Sequence, residues 1–248
     1  MSRFYVPKEC VKDDKIVIKG KEAHHILRVM RLKEGDKVVV FDGTGCEYMG
    51  FIKEADERRE KALVEVVRTE KPPKESVPEI ILAQAIPKRK KMDYIVEKAT
   101  ELGVSRIIPL VSERTIIRPH DGKNSNEKIK RWRRIARETS KQCGRSDIPV
   151  IDKITLYREM PSRLDEYDIA LMACLENERV SIKKAIEGFS RGKILVFIGP
   201  EGDFTQDELQ MADKDNCRFI SLGNRVLKSD TAGLFVLSAL SYEFGDTP

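Results

Sequence analysis

A small β-barrel followed by a mostly parallel α/β domain is the architecture this sequence predicts. Three observations carry it. Short β-branched runs separated by turn residues fill the first seventy or so positions, a proline-rich break follows, and beyond it short apolar runs alternate with amphipathic helical patterns.

The first strands are expected at Lys15 to Ile18, Lys37 to Phe41 and Ala62 to Val67, with turns at Gly20, at Gly35 and in the cluster from Asp42 to Gly45. Between the first two runs lies EAHHILRVMR. Its apolar Ala23, Ile26, Leu27 and Met30 recur at helical spacing and predict a short helix against the barrel, with His24 and His25 in its first turn. In KPPKESVPE, residues 71–79, Pro72, Pro73 and Pro78 oppose helix and central strand alike, which places the domain boundary there, between 1–72 and 73–248.

Beyond the break, Glu79 to Ala85 reads as a buried strand. A helix carrying Met92, Ile95, Val96, Ala99 and Leu102 follows and stops at Gly103. The strand Arg106 to Val111 comes next, then a helix with Trp132, Ile135, Ala136, Thr139 and Cys143 on one face. Further strands are expected at Ile169 to Cys174, Ile194 to Ile198 and Arg218 to Leu222.

Composition narrows the function. No apolar run approaches the roughly 20 residues of a membrane-spanning helix, and the opening MSRFYVPKEC has no signal-peptide pattern. Cys10, Cys46, Cys143, Cys174 and Cys217 are odd in number, scattered and never CxxC, which speaks against a disulfide framework and a thiolate zinc site. With only His24, His25 and His120 besides, no metal is expected, and the reducing cytoplasm is the expected compartment. The formal charge is +5, yet Glu127 to Arg145 alone holds eight basic and two acidic residues. That bias marks a directed basic patch. Lys130, Arg131, Arg134 and Lys141 lie away from the apolar face and are candidate phosphate contacts, and Lys88 and Arg89 extend the same chemistry.

The chemistry is expected in ILVFIGPEGDFTQDEL, where a buried strand runs into Gly199-Pro200-Glu201-Gly202 and then into a helix opened by a Thr205–Glu208 capping box. Ligands of open α/β sheets lie at such carboxyl ends, although an ordinary strand-to-helix turn has the same pattern. A second loop, Gly223 to Asp230, follows the next strand and precedes an apolar helix from Thr231 to Phe244. GxGxxG, GxxxxGK[ST] and GxSxG are all missing, so any nucleoside cofactor must be held by another kind of fold.

IGPEG after one strand, paired with LGNRVLKSDTA after the next, resembles the uracil-N3 methyltransferases of small-subunit (16S) ribosomal RNA, in the SPOUT superfamily. The likeness runs along nearly the whole chain: RFYV, HHILRVMR with Gly35-Asp36, KATELGV with SERT, and the RW helix ending in QCGR occur in the expected order. The resemblance implies a PUA-like N-terminal barrel, a deep trefoil knot at the C-terminal end and a homodimer.

It also implies S-adenosyl-L-methionine as cofactor, bound mostly by main-chain groups of Gly199, Pro200, Glu201 and Gly202 and of Leu222, Gly223, Val226 and Leu227. Thr231 and Ala232 follow, and the end of the strand at Leu175 forms a third wall. Asp230 is the candidate proton acceptor or orienting group, while Arg225, Lys228 and Arg114 are candidates to stabilise a developing uracil anion. Three positions depart from the family pattern: Asp203 for a third glycine, Lys228 for arginine and Asp230 for glutamate. Two other readings remain, a non-catalytic RNA-binding or ribosome-assembly protein and a related enzyme acting on the ribose 2′-O of transfer RNA.

Overall fold

The computed structural model describes residues 2–71, 77–89, 91–116, 122–176, 178–214 and 217–245; Pro72, Pro73, Lys90 and His120 lie outside them. The chain divides into two compact units, Met1–Lys74 with Arg137–Ile148, and Glu75–Ala136 with Pro149–Pro248.

The first unit contains β1 (Arg3–Tyr5), β2 (Val11–Lys12), β3 (Lys15–Lys19), α1 (Lys21–His24), β4 (Lys37–Phe41), β5 (Glu47–Asp56) and β6 (Lys61–Glu70). These strands form a six-stranded sheet in the order β1-β4-β5-β6-β3-β2. Alternation decides its inner face: Ile16 and Ile18 of β3, Val38 and Val40 of β4, and Ala62 and Val64 of β6 are buried together with Phe4 and Ile26.

The β5 strand was not legible, because its inward positions are Tyr48, Gly50 and Ile52 and the middle one has no side chain to show the alternation. A Cβ at Gly50 would stand 2.1 Å from the Glu65 carbonyl oxygen, so the bare backbone is needed there.

The predicted helix is present, but after α1 it opens into a π-turn over His25–Val29, where the Met30 N–H donates to the His25 carbonyl at 2.8 Å. The extra residue in that turn carries Met30 outward. It is 44% exposed, whereas Ala23, Ile26 and Leu27 are buried.

The second unit contains β7 (Glu79–Ala85), α2 (Lys91–Glu101), β8 (Arg106–Val111), α3 (Gly122–Cys143, whose last residues count with the first unit), β9 (Val150–Ile151), β10 (Thr155–Leu156) and β11 (Ile169–Ala173). After these come β12 (Val180–Ser181), α4 (Ile182–Ala185), β13 (Lys193–Ile198), α5 (Gln206–Lys214), β14 (Arg218–Ser221) and α6 (Ser229–Phe244). The sheet order is β10-β8-β7-β13-β11-β14-β12 with β9 beside β8, and every pairing is parallel.

β7, β8 and β13 are buried along nearly their whole length, as expected of parallel strands covered on both faces. Phe197, Tyr157 and Phe204 form an aromatic cluster within that core, with ring centroids 5.8 and 5.4 Å apart. Helix α6 packs on β7 and β13. The fit is close because Gly233 brings the helix against Gln84, whose Oε1 lies 2.8 Å from where a Cβ would stand.

Candidate functional site

Three loops meet at the carboxyl ends of this sheet's strands because β11 lies between β13 and β14. Parallel strands end on the same side, so Gly199 after β13, Leu222 after β14 and Cys174 after β11 become neighbours although 25 and 23 residues separate them. The loop after β13 turns at Gly199-Pro200-Glu201-Gly202 and enters α5 through the capping box. The Glu208 carboxylate accepts from the Thr205 N–H at 2.9 Å, and the Thr205 hydroxyl accepts from the Glu208 N–H at 3.3 Å. The loop after β14 turns at Gly223, whose φ of 102° a side chain would strain.

Between the loops is a cavity of about 220 Å³. Its walls are Ile198, Gly199, Pro200, Glu201 and Asp203 from the first loop, Leu222, Gly223 and Arg225 to Ala232 less Asp230 and Thr231 from the second, and Ala173, Cys174, Leu175 and Arg179 from the third. Aliphatic side chains and main chain make most of this surface. Leu175 and Val226 are 49% and 74% exposed at its rim, apolar area that a bound molecule would cover.

Side chains behind the walls fix the loops. The Ser229 hydroxyl donates to the Gly199 carbonyl at 2.6 Å and accepts from the Gln84 amide at 2.9 Å, a buried chain tying β7 to both loops. The Arg114 guanidinium donates to the Gly202 carbonyl at 2.6 Å and to the Phe204 carbonyl at 3.3 Å. The buried Glu208 carboxylate accepts from the Glu113 N–H at 2.8 Å. The Asp203 carboxylate accepts from the Leu175 N–H at 2.8 Å and from the Phe204 N–H at 2.9 Å.

Arg179, Arg225 and Lys228 are cations on the wall, and Glu201 and Asp203 are its acids. Burial, reinforced by the Asp203 carboxylate, pushes the Cys174 thiol up to about 11, so it stays protonated and is no nucleophile near neutrality. Asp230 lies at the start of α6 and pairs with Lys91 at 2.8 Å. Burial opposes its ionisation, but the Lys91 hydrogen bond and charge and the nearby Lys228 outweigh this and hold the carboxyl below its ordinary value.

A depressed carboxyl stabilises the fold above its ordinary value of about 4, and that contribution drains away as pH falls through the folded value. Asp230→Asn is therefore expected to be less stable than the wild type at pH 7 in urea melts, with the gap closing as the pH is lowered below the carboxylate range. A gap independent of pH would remove the Lys91–Asp230 pair as its cause.

Of the residues expected from sequence to contact cofactor, Leu175, Gly199, Pro200, Glu201, Leu222, Gly223, Val226, Leu227 and Ala232 line the cavity; Gly202 and Thr231 do not. Arg225 and Lys228 line it too. Arg114 instead braces the first loop, and Asp230 lies beside the cavity against Lys91. Arg179 and Ser229 were missed. Ser229 follows Lys228 without any pattern that marks a wall residue, and Arg179 reaches the cavity from a loop with no motif.

On α3, Lys130, Arg131 and Arg134 are exposed, with Arg131 hydrogen-bonded to Asp93. Lys141, expected from sequence to contact phosphate, instead pairs with Glu22 at 2.8 Å, and its side chain is only 14% exposed, so it is spent inside the first unit. Lys88 and Arg89 are exposed, and the Lys88 N–H donates to the Glu201 carboxylate at 3.1 Å. Among the described residues no group of three His, Cys, Asp or Glu could hold a metal, and no helix is long and apolar enough to cross a membrane.

The family model for the RNA methyltransferase domain matches residues 73–241, and that for the RNA methyltransferase PUA domain matches residues 18–65. These matches and the cavity define the class, an α/β RNA methyltransferase domain accompanied by a PUA domain. The ribosomal RNA small subunit methyltransferase E of Bacillus subtilis is 30% identical over 231 residues, 91% of this chain and 89% of the relative. That of Buchnera aphidicola subsp. Acyrthosiphon pisum is 29% identical over 244 residues, 98% and 94% of the two chains. The Neisseria gonorrhoeae ribosomal RNA small subunit methyltransferase E, solved bound to S-adenosyl methionine, superposes with a TM-score of 0.85 at 27% identity and full coverage of both chains. The chain belongs to this family of RNA methyltransferases.

Proposed function

We propose that the protein transfers a methyl group from S-adenosylmethionine to N3 of a specific uridine in the 16S RNA of the small ribosomal subunit. The observation that carries this is the cavity enclosed by the loops after β11, β13 and β14, in a chain whose relatives are named small-subunit rRNA methyltransferases. Its mixed main-chain and aliphatic wall suits a nucleoside held by carbonyl and N–H groups, with Gly199, Leu222 and Leu227 as the residues placed to hold it. The cofactor, when bound, supplies a methyl group made electrophilic by the sulfonium.

The protein must do the rest. Uracil N3 carries a proton and is hidden in base pairs, so the base has to be splayed out and turned toward the cavity. Arg225 and Lys228, the exposed cations of the second loop, are read as stabilising the negative charge that develops on the ring as that proton passes to solvent water. Asp230, whose carboxyl Lys91 and the nearby Lys228 hold below its ordinary value, is a weakened base and is read as an orienting group through its pair with Lys91. Arg114 positions the first loop.

Exposed Lys130 and Arg134, one helical turn apart on α3, are read as phosphate contacts. Lys130→Glu with Arg134→Glu is expected to weaken RNA binding and to lower the slope of log affinity against log salt by roughly 1.5. An unchanged slope would mean that these charges do not touch RNA.

The finer architecture belongs to the same proposal. The passage of α6 across β7 and β13, with Ser229 bonded to Gly199, supports a deep trefoil knot at the C-terminal end. Exposed Tyr94 on α2 and Phe235 and Tyr242 on α6, two helices packed on each other, support a homodimer through that face. A cytoplasmic location follows from a ribosomal substrate. Transfer of labelled methyl from S-adenosylmethionine to small subunits lacking the modification tests the reading; RNA binding with neither cofactor binding nor transfer would leave a non-catalytic RNA-binding protein instead.

A further inference from the structure

Resting on that reading of the cavity, we propose that Asp203 is a specificity-determining residue whose carboxylate selects the cationic S-adenosylmethionine over the uncharged thioether S-adenosylhomocysteine. Asp203 stands at φ 60°, a left-handed conformation that glycine adopts without strain and an L residue does not. Its side chain repays the strain with two backbone hydrogen bonds, from the Leu175 N–H at 2.8 Å and the Phe204 N–H at 2.9 Å. These fix the carboxylate between the first loop and the third wall. Each oxygen keeps further acceptor capacity, and the residue lines the cavity.

Charge around the cavity makes this carboxylate matter. Arg179, Arg225 and Lys228 line the same space and repel a cationic ligand. The other acid on the wall, Glu201, is exposed and turned to the Lys88 N–H at 3.1 Å. Asp203 is the acid whose charge reaches the inner wall, where it helps hold the neighbouring Cys174 protonated. A sulfonium and a thioether differ by one positive charge, so a fixed carboxylate favours the methyl donor and loses that attraction once the methyl group has gone.

Calorimetric titration of the full-length protein with each nucleoside tests this, in the wild type, Asp203→Asn and Asp203→Gly. Asn has nearly the same shape and tolerates positive φ, while Gly removes the strain and guards against a folding defect. Both variants are expected to bind S-adenosylmethionine about ten-fold more weakly, with S-adenosylhomocysteine changed less than about two-fold. An equal loss for both nucleosides would make Asp203 only a clamp on Leu175 and overturn the proposal, as would no loss for either. A wild type that binds neither nucleoside would overturn the cofactor reading beneath it.

Discussion

Arg225→Ala is expected to lower the single-turnover rate of RNA methylation by about 10²–10³-fold, the usual cost of losing one group that stabilises a developing anion. The expectation rests on placement. Arg225 lines the cavity from the loop after β14, and Lys228 is the other cation on the same loop. Neither is buried, so their removal leaves no uncompensated charge in the core, and folding should survive. Arg225→Lys should recover only part of the rate, because an ammonium keeps the charge but loses the planar fork. Rapid-quench measurement at saturating cofactor and RNA separates chemistry from binding. An unchanged rate for both Arg225→Ala and Lys228→Ala would remove this loop from the chemistry.

Glu208→Ala is expected to destabilise the protein by about 2–4 kcal/mol, among the larger effects available outside the hydrophobic core. Its carboxylate is buried and accepts from the N–H groups of Thr205 and Glu113, so one residue caps α5 and joins it to the segment after β8. Truncation strips both donors of their partner in a poorly solvated place. Because α5 anchors the loop from Gly199 to Thr205, affinity for S-adenosylmethionine should fall as well. Urea denaturation followed by circular dichroism checks the first effect; a midpoint within experimental error of the wild type would mean that water replaces the carboxylate.

The line between what was and was not legible in the sequence is a physical one. Local patterns were readable: β13, the Gly199-Pro200-Glu201-Gly202 turn and the capping box of α5 are encoded within sixteen consecutive residues, each step by a residue type with one strong preference. What depends on distant partners was not. Lys141 carries the same charge as Arg134, and only the approach of Glu22, 119 positions away, turns it from a surface cation into an internal pair. Met30 holds a helical position that a π-turn displaces. β5 was hidden by Gly50 at its central inward position.

The site shows the same division. Its two glycine-containing loops could be found from sequence, but their meeting with Cys174 and Leu175 follows from β11 lying between β13 and β14. Ser229 and Gln84, 145 residues apart, form a bond that no local pattern announces. Asp203 shows as a departure from glycine in the sequence, yet its grip on Leu175 appears only in the folded chain.

Nucleoside analysis of small-subunit RNA after incubation with the protein and labelled S-adenosylmethionine identifies both the base and the atom that are methylated. The label is expected as N3-methyluridine, at one site. Label recovered in a 2′-O-methylated ribose or in another base would contradict it, leaving a methyltransferase of this fold with a different target.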